Sequence, residues 1–349
     1  DGHTGPWCSL CKPGFGKSGE LCEMCQNSSP GEILLVILGV CLLTILTGGA
    51  LYWKLTVERK ALHHRRRVTY EAMAATTQEA HEAGNTVAFI KVMFTWLQVS
   101  ALALSLQVQL SSQLSRMFQA QTVAEASPYQ FASFNCMVPK SYAFKYVFNA
   151  CIPVLCCVFA LLVMGVLYFV RRWKGLGPRR MREWGCDFVA ASEILQFLVY
   201  TTVAKTVLSV YQCVEVSDSP AYYVLRDDVS YECFTPEHNL LQIFGAVLVV
   251  VYLIGIPAHI GVVLWWASRN LPGGVHNDTI SSCFSFFYMD KRDRMFNYEC
   301  IITARKACII AIVTTLAKAP GYQVVAATMS LWLFFALNMR MKPFLSKTV

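Results

Sequence analysis

The sequence predicts an all-α polytopic membrane protein with about seven transmembrane helices and its N-terminus outside, preceded by a small disulfide-rich module. Three observations carry that prediction. Hydrophobic residues make up 55% of the 349 and charged residues only 15%, with a mean hydropathy of +0.43, which is too apolar for a soluble domain of this size. Seven stretches approach the roughly 20 mostly apolar residues that a spanning helix needs. Lys and Arg crowd alternate connecting loops, as they do when basic residues are held on the cytoplasmic side.

The first element, residues 1–29, contains Cys8, Cys11, Cys22 and Cys25 as CxxC, ten residues, CxxC. That spacing suits a zinc ribbon almost as well as an oxidised repeat, so it does not decide the chemistry alone. Residues 30–349 form the membrane domain. Its expected spans run from Glu32 to Trp53, Val87 to Leu110, Phe148 to Val170, Asp187 to Gln212, Leu241 to Ala267, Cys300 to Ala317, and Gln323 to Met339. The sixth is the weakest, because Arg305 and Lys306 leave only Ala307 to Ala317 free of charge.

Loop charge then sets the orientation. The loop after span one carries Lys54, Arg59, Lys60 and Arg65 to Arg67, and the loop after span three carries Arg171, Arg172, Lys174, Arg179, Arg180 and Arg182. Arg269, Lys291, Arg292 and Arg294 follow span five, whereas the loops after spans two and four hold only Arg116, Lys140, Lys145 and Arg226. This places the N-terminus outside and the C-terminus inside. The net charge of +8 is therefore read mainly as a topology signal, with anionic inner-leaflet lipid a secondary partner and no nucleic acid.

Outside the cell thiols oxidise, so the opening cysteines are expected to form disulfides, with three connectivities open to four cysteines. Cys213 and Cys233 bracket the polar loop VEVSDSPAYYVLRDDVSYE and are expected to bridge. With Cys136 in the other long outer loop, one outside cysteine is left over. The sequon at Asn27 is expected to carry glycan, and the one at Asn277, placed inside, is expected to carry none. The chain begins at Asp1 without a signal-peptide pattern and is read as a piece of a longer protein with an upstream ectodomain.

Ionisable residues within spans are the default functional candidates, because an unpaired charge in hydrocarbon is costly. Glu193 and Lys205 are twelve residues apart, about 18 Å along a helix, and cannot pair with each other. Either each lies near its own membrane face, with Lys205 snorkelling, or they join an interior polar cluster with Glu299, Arg305, Lys306 or Gln98. Glu299 and Lys306, seven residues apart, share one helix face and can anchor it against a neighbour. His259 follows Pro257 in YLIGIPAHIG, where a kink is expected. That histidine reads either as a hydrogen-bonded structural residue or as a proton or ligand sensor. The stretch FSFFYMDKRDRMFNYE, Phe284 to Glu299, reads as interfacial.

No enzyme, catalytic residue, metal or cofactor is expected: GxSxG, HExxH, Walker A and a strand-linked GxGxxG do not occur. KAPGYQ, Lys318 to Gln323, is a tight turn with no room for a re-entrant ion filter. Span three ends in FVRRW rather than a DRY-like triplet, and NPxxY does not occur in span seven.

The opening GHTGPWCSLCKPGFGKSGELCEMC resembles the last of the ephrin-receptor-like, or EGF-like, cysteine-rich repeats that precede the multi-span C-terminal region of large algal and protist surface proteins. FIKVMFTWLQVSALAL, SFNCMVP, YYVLRDDVSYECFTPEH, YLIGIPA and the approach from Tyr298-Glu299 to Arg305-Lys306 extend the resemblance along almost the whole chain. Such regions are similar to transient-receptor-potential or polycystin-like membrane domains. The resemblance implies a plasma-membrane anchor, in a ciliary or flagellar setting, for a long extracellular protein or filament. The alternatives are an ion channel or subunit of that kind, associating with other membrane subunits, and a seven-span receptor.

Overall fold

The computed structural model describes residues 3–4, 10–12, 15–18, 21–25, 89, 91–100, 141–173, 181–218, 221–288, 291–316 and 319–343. The expected first span, Cys8, Cys136 and Asn27 lie outside these residues, and the second span is described only at 89 and 91–100, which are helical.

The N-terminal module pairs β1 (His3–Thr4) with β2 (Leu10–Cys11) and β3 (Phe15–Ser18) with β4 (Leu21–Met24), both antiparallel. A Cys11–Cys22 disulfide ties the two pairs together, and Cys25 is also disulfide-bonded. Such short strands bury little apolar surface, so covalent links supply much of what holds them.

From residue 141 on, the described residues are mostly helical. After α1 (Tyr142–Ala150) come α2 (Ile152–Trp173) and α3 (Met181–Ser209), then a hairpin of β5 (Cys213–Asp218) and β6 (Ala221–Leu225). One continuous helical rod follows, built from α4 (Pro236–Leu248), a π-helical turn (Val249–Ile254) and α5 (Gly255–Asn270). The chain closes with α6 (Asp278–Tyr288), α7 (Tyr298–Thr315) and α8 (Pro320–Met341).

Four helices among the described residues are long and apolar enough to cross a membrane: Ile152–Val170, Arg182–Ser209, Pro236–Asn270 and Gly321–Met341. These correspond to the third, fourth, fifth and seventh expected spans, so the expected count of about seven is met at four positions. The sixth is an 18-residue helix, about 27 Å long, that carries Glu299, Arg305 and Lys306 and is too charged to stand among them.

Burial separates the core helix from the outer ones. The apolar window of α3 is 67% buried, against 17% for α2, 17% for the α4–α5 rod and 11% for α8. α3 is therefore the axis, packed against α1, α2, α6, α7 and the rod. α2 is apolar all round and leaves Leu161, Leu162, Val166 and Phe169 facing outward, as a lipid-facing helix does.

The rod is irregular for an identifiable reason. Pro257 has no N–H to offer the carbonyl of Leu253 one turn earlier, and its ring crowds that turn. The π-helical turn absorbs the mismatch, with the Gly255 N–H reaching back to Val250 O. The Leu253 carbonyl accepts instead from Tyr200 Oη on α3 at 2.9 Å. The irregularity expected at YLIGIPA is thus a π-turn whose orphan carbonyl the neighbouring helix satisfies.

Phe284 to Tyr288 depart from expectation. They read as interfacial, yet Phe284, Phe286, Phe287 and Tyr288 are all buried, in one cluster with Phe197, Ile260 and Leu264. The 278–288 segment folds back as α6 against α3, which turns the aromatics inward. Tyr288 donates its hydroxyl to Val275 O at 2.7 Å, and burial pushes that phenol up to about 12, so it remains a donor at neutral pH.

At the hairpin end the Cys213–Cys233 disulfide closes the β5–β6 loop. Thr235 caps α4 by accepting from the His238 N–H, with Pro236 in the first turn, a strong helix start. Gly245 lets α4 approach α1 and the end of α3. A Cβ there would lie 2.8 Å from Tyr146 Oη and 3.0 Å from Val210 Cγ1.

Tyr200→Phe should destabilise the bundle by about 1–3 kcal/mol, because it strands a buried carbonyl. Adding Pro257→Ala, which restores an N–H at that turn, should recover part of the loss. Chemical unfolding of the full chain in detergent micelles reads both effects, and equal stability of Tyr200→Phe and wild type would refute the assignment.

Candidate functional site

The candidate site is a knot of charged side chains in the interior of the bundle. Glu299, in the first turn of α7, is 3% exposed. Its Oε2 lies 3.1 Å from Lys291 Nζ and 3.5 Å from Lys91 Nζ, and both lysines are also buried. Two turns along α7, Lys306 is 1% exposed and donates to Gln98 Oε1 at 2.8 Å. Gln98 donates in turn to Leu198 O on α3 at 2.7 Å.

These contacts form a two-rung ladder. Lys91 and Gln98 are seven residues apart, as are Glu299 and Lys306, and seven residues bring a helix back to nearly the same face about 10.5 Å on. The 91–100 helix and α7 therefore run in the same direction with matched rungs. Aromatic faces complete the cation shells: Lys91 lies 4.6 Å from the Phe286 ring centroid and Lys306 lies 4.1 Å from that of Phe197. The two rings meet edge to face at 5.6 Å.

A second polar contact sits beside the ladder. Glu193 on α3 is 7% exposed, and its Oε1 lies 3.3 Å from His259 Nδ1 on α5. Its Oε2 has no hydrogen-bond partner among the described residues. Glu193 and Lys306 line one small cavity with Tyr200, Pro257 and Thr303, directly beside the irregular turn of the rod.

The structure thus sorts the expected intramembrane residues. Glu193, Glu299 and Lys306 are buried in the interior, while His259, its side chain 54% exposed, reaches Glu193 from the outer face of the rod. Lys205 stands apart, half-buried at the hairpin end of α3. Arg305 is half-buried, and its Nε has no hydrogen-bond partner among the described residues. Lys91 lies in an apolar run and Lys291 in a basic loop, so neither stands out in the sequence as a site residue. The seven-residue spacing of Lys91 and Gln98, matched by that of Glu299 and Lys306, was the available signal.

Cys213, Cys233 and His238 lie close enough together to resemble a metal trio. The two sulfurs are bonded to each other, and both ring nitrogens of His238 are engaged. Nδ1 accepts from the Phe234 N–H at 3.1 Å, so Nε2 carries the proton and donates to Val210 O at 2.9 Å. His238 thereby holds Phe234 in a left-handed conformation, φ 64°, that is costly for a residue with a side chain. The trio is a structural clamp between the hairpin and α4.

Gln98→Leu should cost about 1–3 kcal/mol, because it removes the oxygen that accepts from buried Lys306. The double variant Gln98→Leu/Lys306→Met should be more stable than Gln98→Leu alone, since both partners are then apolar. Denaturation midpoints in micelles compare them, and the opposite order would contradict the pairing.

No protein family, curated protein or solved structure matches the chain.

Proposed function

We infer that residues 30–349 are the multi-pass membrane anchor of a cysteine-rich cell-surface protein, with the N-terminus outside and residues 1–29 as the last extracellular module. The observation that carries this reading is the ladder. Its contacts, two lysines on Glu299 and a third on Gln98, bind the 91–100 helix, α3, α7 and the segment before α7 into one unit. A bundle locked in this way resists extraction when force arrives from outside. The parallel course of the 91–100 helix and α7 agrees with a topology in which both run from inside to outside. The disulfides Cys11–Cys22 and Cys213–Cys233 fit an oxidising exterior. An anchor in a ciliary or flagellar plasma membrane, holding an upstream ectodomain or filament, is the specific form proposed.

Glycan mapping on the expressed full chain tests the orientation. Asn27 should be modified and Asn277 should not, and sugar on Asn277 would overturn the topology. The Asn277 side chain already accepts from the Thr279 N–H at 3.1 Å and donates to Pro272 O at 3.2 Å. Liposomes holding the purified protein should pass Na⁺, K⁺ and Ca²⁺ no faster than empty ones. Flux well above that background would sink the anchor reading and favour the channel alternative.

A further inference from the structure

The cavity beside the irregular turn of the rod has a volume of about 10 Å³, room for about one water. Glu193 lines it, and the carboxyl oxygen Oε2 of that residue is buried with no hydrogen-bond partner among the described residues. An ionised carboxylate accepts several hydrogen bonds. This one has a single side-chain contact and space for one solvent molecule besides.

That contact leads outward. Glu193 Oε1 meets His259 Nδ1 at 3.3 Å, and the imidazole is half-exposed on the outer face of the rod. Its other nitrogen, Nε2, makes no hydrogen bond among the described residues, and the ring rests against Phe284 at 6.2 Å. His259 lies six residues, about 9 Å, from Trp265, and half-exposed indoles such as Trp265 and Trp266 settle at headgroup level. Interfacial water is therefore close to the ring.

The surroundings decide what the pair does. Lys306 faces the cavity from α7 and donates to Gln98, while Glu299, Lys91 and Lys291 are engaged with one another in the ladder. α2 carries no charge over Ile152–Val170, where Cys156, Cys157 and Tyr168 are its titratable groups, and α6 meets the pair with the rings of Phe284 and Phe287. On α3 the nearest other carboxylate is Asp187, six residues away. An ionised Glu193 beside a neutral imidazole leaves a net negative pair in the interior, with Lys306 the cation across the cavity. One added proton makes the pair neutral.

We propose that Glu193 and His259 form a proton-binding site, in which the imidazole relays protons between the membrane surface and the buried carboxyl. A proton arriving at Nε2 forms an N–H bond there as the Nδ1–H bond breaks and its proton passes to Glu193 Oε1. The product is a neutral carboxyl that donates to Nδ1, and release reverses the same steps.

The full chain in uncharged maltoside micelles is followed by infrared spectroscopy from about pH 9 to about pH 5. The C=O stretch of a protonated carboxyl should grow in as the pH falls, which tests the site without any variant, and it should be missing from Glu193→Gln. In deuterated water at the acidic end the band shifts as its proton exchanges. His259→Phe should keep the band and slow that exchange about ten-fold or more. Unfolding midpoints establish that the variants are folded. No such band in the wild type, a band that Glu193→Gln retains at full strength, or exchange in His259→Phe at the wild-type rate overturns the proposal.

Discussion

A carboxylate buried in an apolar bundle must be met by positive charge or it destabilises the fold, and Glu299 is where this bundle meets that requirement. Lys91 arrives from a segment 208 positions away in sequence, and Lys291 arrives from the approach to α7. Both lysines and the carboxylate are buried together, which ties the 91–100 helix and the approach to α7 onto the start of α7. The second rung, from Lys306 through Gln98 to Leu198, fixes the register along the helices. The Phe286 ring then covers Lys91 and the Phe197 ring covers Lys306.

A second requirement is backbone satisfaction without water. Where a helix turn cannot bond to itself, a side chain from another element fills in. Tyr200 serves Leu253 above the proline, Gln323 donates to Val313 O at 2.7 Å, and Gln212 donates to Thr314 O at 3.1 Å. The last two carbonyls belong to the final turn of α7, which has no intrahelical donors of its own. Both glutamines thus let α7 end inside the bundle. Seen this way, the charges that make α7 a poor candidate for a lone span are what let it sit among better ones.

Much of the fold was legible because hydrophobic length is a local property. The runs around Ile152, Ala190, Val247 and Leu331 need no partners to be recognised as helices. The bracket of Cys213 and Cys233 was equally local. Contacts between segments distant in the chain were less legible. Phe284 to Tyr288 mix aromatics with nearby charge, and only the folding back of α6 onto α3 decides that the rings go inward. Glu193 and His259 carry no shared spacing, since they lie on separate helices. Lys291 sits in a basic cluster that resembles any loop charge until its carboxylate is found.

The central claim is that Glu299 and its lysines hold the bundle together. The most direct measurement is a double-mutant cycle on Glu299→Gln and Lys291→Met, read from the unfolding free energy of the full chain in micelles. Each single variant should lose about 3 kcal/mol or more, and the pair should lose less than the two losses added, with a coupling of about 1 kcal/mol or greater. Additive losses, or a Glu299→Gln variant as stable as wild type, would contradict it.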